Sequence, residues 1–154
     1  MSDPGWHLAE FNIARMKYPL DYVEMAGFVD QLEPVNALAD SAPGFVWRHQ
    51  TDEGDSTSIR MFDDPQIIIN YSLWESIEQL RDFTFNLQDH KELLRKRREW
   101  FTPVPKMPVI VMWWVPAGEI PTLEDARERL EHLRDNGPTA YAFNFRKRFA
   151  PGDE

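Results

Sequence analysis

Alternating apolar and polar side chains predict four β-strands, at residues 6–13, 45–49, 67–74 and 109–115. Apolar side chains at helical spacing predict helices at 21–38, 75–83 and 89–101. Pro34 has no backbone N–H to donate, so we expect the first helix to break or kink there. The resulting order, strand–helix–strand–strand–helix–strand, is typical of the ferredoxin-like split βαβ fold.

We therefore predict one α+β domain over residues 1–154, with a ferredoxin-like antiparallel core at about 6–116. A further helix, followed by a strand at 141–149, is predicted to form a C-terminal extension over residues 120–149. In a ferredoxin-like fold the helices of the core lie on one face of the sheet, so the other face needs a cover. That cover is either a second copy of the chain, which makes a homodimer, or the chain's own C-terminal extension.

Composition and charge limit the kinds of protein that this chain could be and the partners that it could bind. The 154 residues are 42% hydrophobic and 13% aromatic, which indicates a globular domain, and there is no cysteine to form a disulfide or bind a metal. A net charge of -9 disfavours nucleic acid and acidic membrane surfaces as partners. The longest apolar run, 109–115, is too short to span a bilayer, and no signal peptide is recognisable. We expect a cytoplasmic protein.

Polar side chains on the first and third strands mark a candidate site. These strands are central neighbours in a ferredoxin-like sheet, and one face of the pair carries Glu10, Asn12, Asn70, Ser72 and Trp74. The opposite face is apolar: Phe11, Ile13, Ile69, Tyr71 and Leu73. Because helices normally cover an apolar face, we expect the polar face to line the open, barrel side of the sheet. Polar groups at mid-strand need partners, so they predict either a ligand pocket or a hydrogen-bonded dimer interface.

Aromatic and basic residues elsewhere are expected to close this pocket. The candidates are Trp47 or Arg48, and one of Trp113 and Trp114, which point to opposite sides of their strand. His90, Arg97 and Phe101 fall on one stripe of the helix predicted at 89–101 and form a candidate wall.

Two residues are candidates for proton transfer. Burial would raise the pKa of Glu10 towards neutrality, whereas a salt bridge with Arg48 or Arg15 would hold it ionised and inert. His90 is a candidate general base or haem ligand, or a structural residue at a helix start. The remaining histidines lack metal-ligand spacing, and no nucleotide-binding motif is present, so we predict no metal site and no cofactor.

Long motifs spread over nearly the whole chain resemble a known family. They are HLAEFNIAR, PGFVWR, DFTFNLQDHKELLRKRREWF, WWVPAGEIPTLEDARERL and GPTAYAFNF. They resemble the family catalogued as domain of unknown function 3291, placed in the dimeric α+β barrel superfamily. The resemblance implies that fold and a homodimer. The superfamily includes cofactor-independent monooxygenases, haem-binding enzymes, isomerases, lyases and ligand-binding proteins, so the resemblance alone does not select an activity.

These observations lead to one hypothesis and two alternatives. The hypothesis is a cofactor-independent monooxygenase, isomerase or cyclase that abstracts a proton from a hydrophobic, ring-containing or polyketide-like molecule. Glu10 or His90 would move the proton, and Asn12, Asn70 and Ser72 would orient the substrate oxygens. The alternatives are a non-catalytic protein that binds a small molecule in the same cavity, and a haem-binding protein that uses His90.

Overall fold

The computed structural model of the protein describes residues 5–19, 21–49, 66–88, 99–104 and 107–153. These residues form one curled antiparallel sheet with five strands: β1 (Trp6–Met16), β2 (Phe45–Arg48), β3 (Ile67–Trp74), β4 (Phe101–Thr102) and β5 (Ile110–Pro116). Their α-helices are α1 (Ala26–Asp40), α2 (Ile77–Gln88) and α3 (Leu123–Asn136). The predicted α+β class is therefore confirmed. Most of the helix predicted at 89–101 lies outside the described residues, although Phe101 is in β4.

The long strand β1 lies at the centre of the sheet. It pairs with β3 on one side and with both β5 and β4 on the other, and β2 extends the sheet beyond β3. Along its first half the order is β2-β3-β1-β5, and every pairing is antiparallel. The prediction that the first and third strands are neighbours is confirmed, with Glu10 opposite Ser72 and Asn12 opposite Asn70.

One face of the sheet is apolar, and α3 covers it. Phe11, Tyr71, Val111 and Trp113 lie in a buried cluster on this face, together with Leu130 of α3. The helix begins at its N-cap Thr122, whose side chain accepts a hydrogen bond from the Asp125 N–H, and ends at Gly137 with φ 75°. The chain's own C-terminal helix thus covers the apolar face.

Helices α1 and α2 lie over the other face of the sheet, the one that carries Glu10. Leu80 of α2 packs with Leu8, Trp74 and Met112, which share this face. The two core helices share one face, as expected, but the expectation that this is the apolar face is wrong. The physical reason is that only the middle of the Glu10 face is polar, so its apolar ends provide hydrophobic contacts for α1 and α2, while α3 occupies the apolar face.

Helix α1 runs without a break from Ala26 to Asp40 although Pro34 lies inside it. The predicted break is wrong because a proline removes only one hydrogen bond of the ladder. The carbonyl that loses this bond belongs to Asp30, and both Asp30 and Pro34 are exposed, so solvent is available to it.

The C-terminal segment does not form the strand predicted at 141–149. Phe143 makes one isolated bridge, with two backbone hydrogen bonds of 2.9 Å to Met112. Immediately afterwards the side-chain oxygen of Asn144 accepts the backbone N–H groups of Arg146 and Lys147, which turns the chain away from the sheet. No helix in the described ranges is both long enough and apolar enough to cross a lipid bilayer.

Candidate functional site

A cavity of about 520 Å³ lies between α1 and the Glu10 face of the sheet. Strands β1 and β3 form its floor, and one side of α1 forms its roof. Residues of α2, β2 and β4 complete the walls. The volume is in the range of small-molecule sites, and the lining is mostly apolar with a few polar groups, which is the usual composition of such sites.

The floor follows four residue pairs of β1 and β3. They are alternate pairs of the register and lie on one face because strand side chains alternate: Leu8–Trp74, Glu10–Ser72, Asn12–Asn70 and Ala14–Ile68. All of these residues line the cavity except Leu8, which is buried beside Trp74. The two central pairs are polar and the two outer pairs are apolar. The polar groups of the floor are thus concentrated in the middle of the cavity.

Glu10 has neutral hydrogen-bond donors on both carboxyl oxygens. The Asn12 amide donates to Oε1, and the Ser72 hydroxyl donates to Oε2 at 3.4 Å. The Trp74 indole N–H donates to the Ser72 hydroxyl oxygen at 2.9 Å and so fixes its orientation. Glu10 is only 4% exposed. Burial raises the pKa of Glu10 to about 7, although the hydrogen bonds from Asn12 and Ser72 oppose this rise.

No arginine among the described residues forms an ion pair with Glu10. Glu10 forms no ion pair with any residue that the structure describes. Arg48 lines the cavity, and its guanidinium forms an ion pair of 2.8 Å with Asp40, the last residue of α1. Arg15 lies an odd number of positions from Glu10 on β1 and therefore points to the other face. The inert salt bridge considered from the sequence is not formed.

Each end of the cavity is lined by aromatic rings. At the Trp100 end, the Phe28 ring lies 5.7 Å from that of Trp100 and 5.1 Å from that of Phe101. At the Trp74 end, the Trp74 ring lies 5.6 Å from Phe45 and 5.2 Å from Phe83. Offset and edge-to-face contacts at these distances are favourable, so the rings at both ends hold one another in place.

Most of the site residues predicted from the sequence line this cavity: Glu10, Asn12, Arg48, Asn70, Ser72, Trp74 and Phe101. Trp47 and Trp113 do not line it, because they pack in the apolar cluster under α3. Trp114 shares the face of Glu10, but its indole N–H donates to the Phe149 carbonyl at 2.7 Å and it packs with the C-terminal segment. His90 and Arg97 lie outside the described residues.

The roof of the cavity, formed by α1, is not among the site residues predicted from the sequence. Phe28, Leu32, Val35 and Ala39 of α1 all line the cavity. Their spacing of four, three and four positions places them on one side of the helix, and this pattern was available in the sequence. Such an apolar side normally packs in a core, yet no residue of α1 is buried and these four are only half-buried. A helix whose apolar side stays unburied is the signal for a cavity beneath it.

The described ranges hold no group of three or more histidine or acidic side chains suited to a metal ion. His49 lines the cavity next to Arg48, and partial burial lowers its pKa, which favours the neutral imidazole. The described lining of the cavity therefore offers carboxyl, amide, hydroxyl and imidazole groups, together with the guanidinium of Arg48, which is paired with Asp40.

Comparison with known proteins places the chain in a family. No curated protein and no solved structure matches it. The family model described as domain of unknown function (DUF3291) matches residues 7–154, which is nearly the whole chain. The chain therefore belongs to the DUF3291 family.

Proposed function

We propose that the protein is an enzyme that removes a proton from the carbon next to a carbonyl group in a hydrophobic, ring-containing molecule. The observation that carries this proposal is Glu10, a carboxyl group buried on the floor of a mostly apolar cavity, with neutral hydrogen-bond donors and no ion-pair partner among the described residues. A general base works best when its pKa is near the working pH, and burial raises the pKa of Glu10 to about 7.

The proposed reaction begins with ionised Glu10 taking the proton from carbon. The electron pair of the C–H bond moves into the carbonyl group and gives an enolate. Amide N–H groups of Asn12 and Asn70, on the same floor, are available to the enolate oxygen. Return of the proton at another carbon gives isomerisation, and attack of the enolate carbon on a second carbonyl gives cyclisation. Alternatively, the enolate carbon reduces O₂ to a carbon-bound hydroperoxide, and loss of water from it converts the original CH₂ group into a carbonyl, so that one oxygen atom enters the product and the other leaves as water.

We also infer a relationship to the dimeric α+β barrel superfamily. The order β2-β3-β1-β5, with helices α1 and α2 on one face, supports this inference. A second copy normally covers the other face in that superfamily, whereas α3 packs on it in this chain. The homodimer stays a prediction, and the described walls of the cavity all come from one chain.

The experiment measures hydrogen–deuterium exchange at the carbon acid of 2-tetralone in D₂O by NMR. We expect the wild-type protein to accelerate exchange, with a rate that rises as pH increases through about 7, where Glu10 ionises. Glu10→Gln should lose this acceleration, and Glu128→Gln, at an exposed position of α3, should keep it. Equal exchange by wild type and Glu10→Gln would remove Glu10 from the mechanism, and no acceleration by wild type would contradict the proposed reaction.

A non-catalytic binding protein is the second candidate. The observation that favours it is that both oxygens of Glu10 already accept hydrogen bonds, which stabilise the carboxyl group where it is. A cyclic ketone that binds equally to wild type and Glu10→Gln without proton exchange would select this function. The haem alternative depends on His90, which lies outside the described residues, and a Soret band after haemin titration tests it.

A further inference from the structure

We propose that the ligand is an elongated molecule with a carbonyl-containing segment in its middle and an apolar arm at each end. This inference rests on the proposed function, because it takes the same cavity as the site, and it adds the class of substrate. A head-to-tail ligand, polar at one end and apolar at the other, should bind more weakly. The order of polar and apolar groups along the cavity indicates this arrangement of an apolar arm at each end.

The floor sets this order. The pairs Glu10–Ser72 and Asn12–Asn70 are flanked by an apolar pair on each side, Leu8–Trp74 and Ala14–Ile68. The six residue steps from Ile68 to Trp74 span about 20 Å at the usual rise of a strand. A ligand lying along this floor meets apolar groups, then carboxyl, hydroxyl and amide groups, then apolar groups again. Its hydrogen-bonding atoms therefore have to be central.

The two ends are similar in chemistry. The Trp100 end presents Phe28, Trp100 and Phe101, and the Trp74 end presents Phe45, Trp74 and Phe83. A ligand with a single apolar arm would fill one of these ends and leave the other without an apolar partner. Because burial of apolar surface is favourable in proportion to area, a ligand with two arms gains at both ends.

The roof follows the same axis. Phe28 of α1 contacts the rings of the Trp100 end, and eleven residues later Ala39 lines the cavity next to Asp40, the ion-pair partner of Arg48. Eleven helical residues span about 16 Å, so the roof extends over most of the length of the floor. The residues of α1 that face the cavity are only half-buried, so space remains between the helix and the floor. An elongated ligand would provide the missing contact along the whole roof.

Three probe molecules distinguish a ligand with two apolar arms from a ligand with one. They are 1,3-diphenylpropane-1,3-dione, with a phenyl arm on each side of a central diketone, 1-phenylbutane-1,3-dione, with one phenyl arm, and 1,3-diphenylpropane, with two arms and no carbonyl. Calorimetric titration of the whole protein should give the tightest binding for the two-armed diketone. We expect a loss of at least about tenfold in affinity when one arm is removed, since burial of an aromatic ring is worth more than the corresponding free energy. We expect a similar loss when the carbonyl groups are removed.

Variants at the two ends complete the test. Phe28→Leu at the Trp100 end and Phe83→Leu at the Trp74 end should each weaken binding of the two-armed diketone. Only one of them should weaken binding of the one-armed diketone. Val29→Ala, at an exposed position of α1, is the matched control and should leave both affinities unchanged. Circular dichroism of each variant verifies that it is folded.

Equal affinity for the two diketones, no binding of either, or insensitivity of the two-armed probe to both ring variants would overturn the inference. These outcomes are distinct from failure of the proposed function. Tight two-armed binding that is kept in Glu10→Gln, without proton exchange in the wild type, would contradict the enzyme and leave the ligand class standing. Exchange that depends on Glu10, together with equal affinity for the two diketones, would support the enzyme and contradict the proposed ligand class.

Discussion

Glu10 differs from a typical buried carboxylate in the groups that surround it. An amide and a hydroxyl contact its oxygens, and the indole of Trp74 holds the hydroxyl in place. A buried carboxylate is usually paired with a positive charge, and no described residue supplies one. The folded protein therefore favours the neutral form of Glu10. The protonation state of Glu10 consequently affects the stability of the fold as well as its reactivity.

The free energy of unfolding should fall as pH rises from about 4.5 to about 7. The pKa of Glu10 is raised from 4.5 to about 7 on folding, so between these values the native state holds a proton that the unfolded state has lost. The stabilisation is fully present below the unfolded pKa and is lost as pH rises through the folded pKa. The protonation of Glu10 contributes about 3 kcal/mol to the free energy of unfolding.

Urea denaturation of wild type and Glu10→Gln at pH 4.5 and pH 8 measures this contribution. Because glutamine does not titrate, the stability difference between variant and wild type should shift in favour of the variant by about 3 kcal/mol at the higher pH. Glu128→Gln is the control at an exposed position, and it should follow the wild type. A Glu10→Gln profile parallel to that of the wild type would mean that Glu10 is not held neutral.

The polar floor could be predicted from single residues, because strand side chains alternate strictly. Glu10, Asn12, Asn70 and Ser72 therefore had to share a face once β1 and β3 were recognised as neighbours. The position of Trp47 could not be predicted in this way. The register of β2 shifts between Phe45 and Trp47, and such irregularities change which side chains face the cavity.

At the scale of elements, strands β1, β2, β3 and β5 and the type of the described helices were predictable, but strand β4 and the face that each helix covers were not. The spacing of apolar residues identifies the apolar side of a helix, but it does not show which face of the sheet that side packs on. Ring clusters at both ends of the Glu10 face give α1 and α2 apolar contacts, which a search for the most apolar sheet face does not reveal. In the same way, the alternation at 141–149 predicted a strand that Asn144 ends by a local turn.

The connection between α1 and β2 provides a test of how α2 is positioned. Gly44 has φ 84°, its carbonyl accepts the Glu75 N–H at 2.8 Å, and a Cβ here would lie 2.3 Å from Cδ of Gln79 in α2. Gln79 also accepts a hydrogen bond from Ser76, so its displacement disturbs the start of the helix. Gly44→Ala should therefore lower the free energy of unfolding by both backbone strain and this clash.

The matched control is Gly118→Ala, at φ 94° with no atom near the added Cβ. Backbone strain alone costs about 1–2 kcal/mol, and Gly44→Ala should cost at least about 1 kcal/mol more. Urea denaturation of both variants gives the comparison. Equal losses would show that Gln79 moves aside freely and that this connection does not position α2.

At the scale of the whole molecule, α3 acts as the cover that the sheet needs on its apolar face. Leu130 of α3 is 1% exposed in the main cluster, so Leu130→Ala should lower the free energy of unfolding by about 2–5 kcal/mol. Leu38→Ala removes the same atoms from α1, where Leu38 is 49% exposed, and should cost far less. Thermal or urea denaturation measures both. A small loss for Leu130→Ala would contradict the assignment of α3 as the cover.

The measurement that tests the central claim most directly is the pKa of the Glu10 side chain in the folded protein. A ¹³C NMR titration of the carboxyl carbons, with Glu10 assigned by its absence in Glu10→Gln, gives this value without knowledge of the substrate. We predict a pKa of about 7, caused by burial on the cavity floor. A pKa near the ordinary glutamate value would contradict it, because Glu10 would then be a solvated carboxylate with no special role.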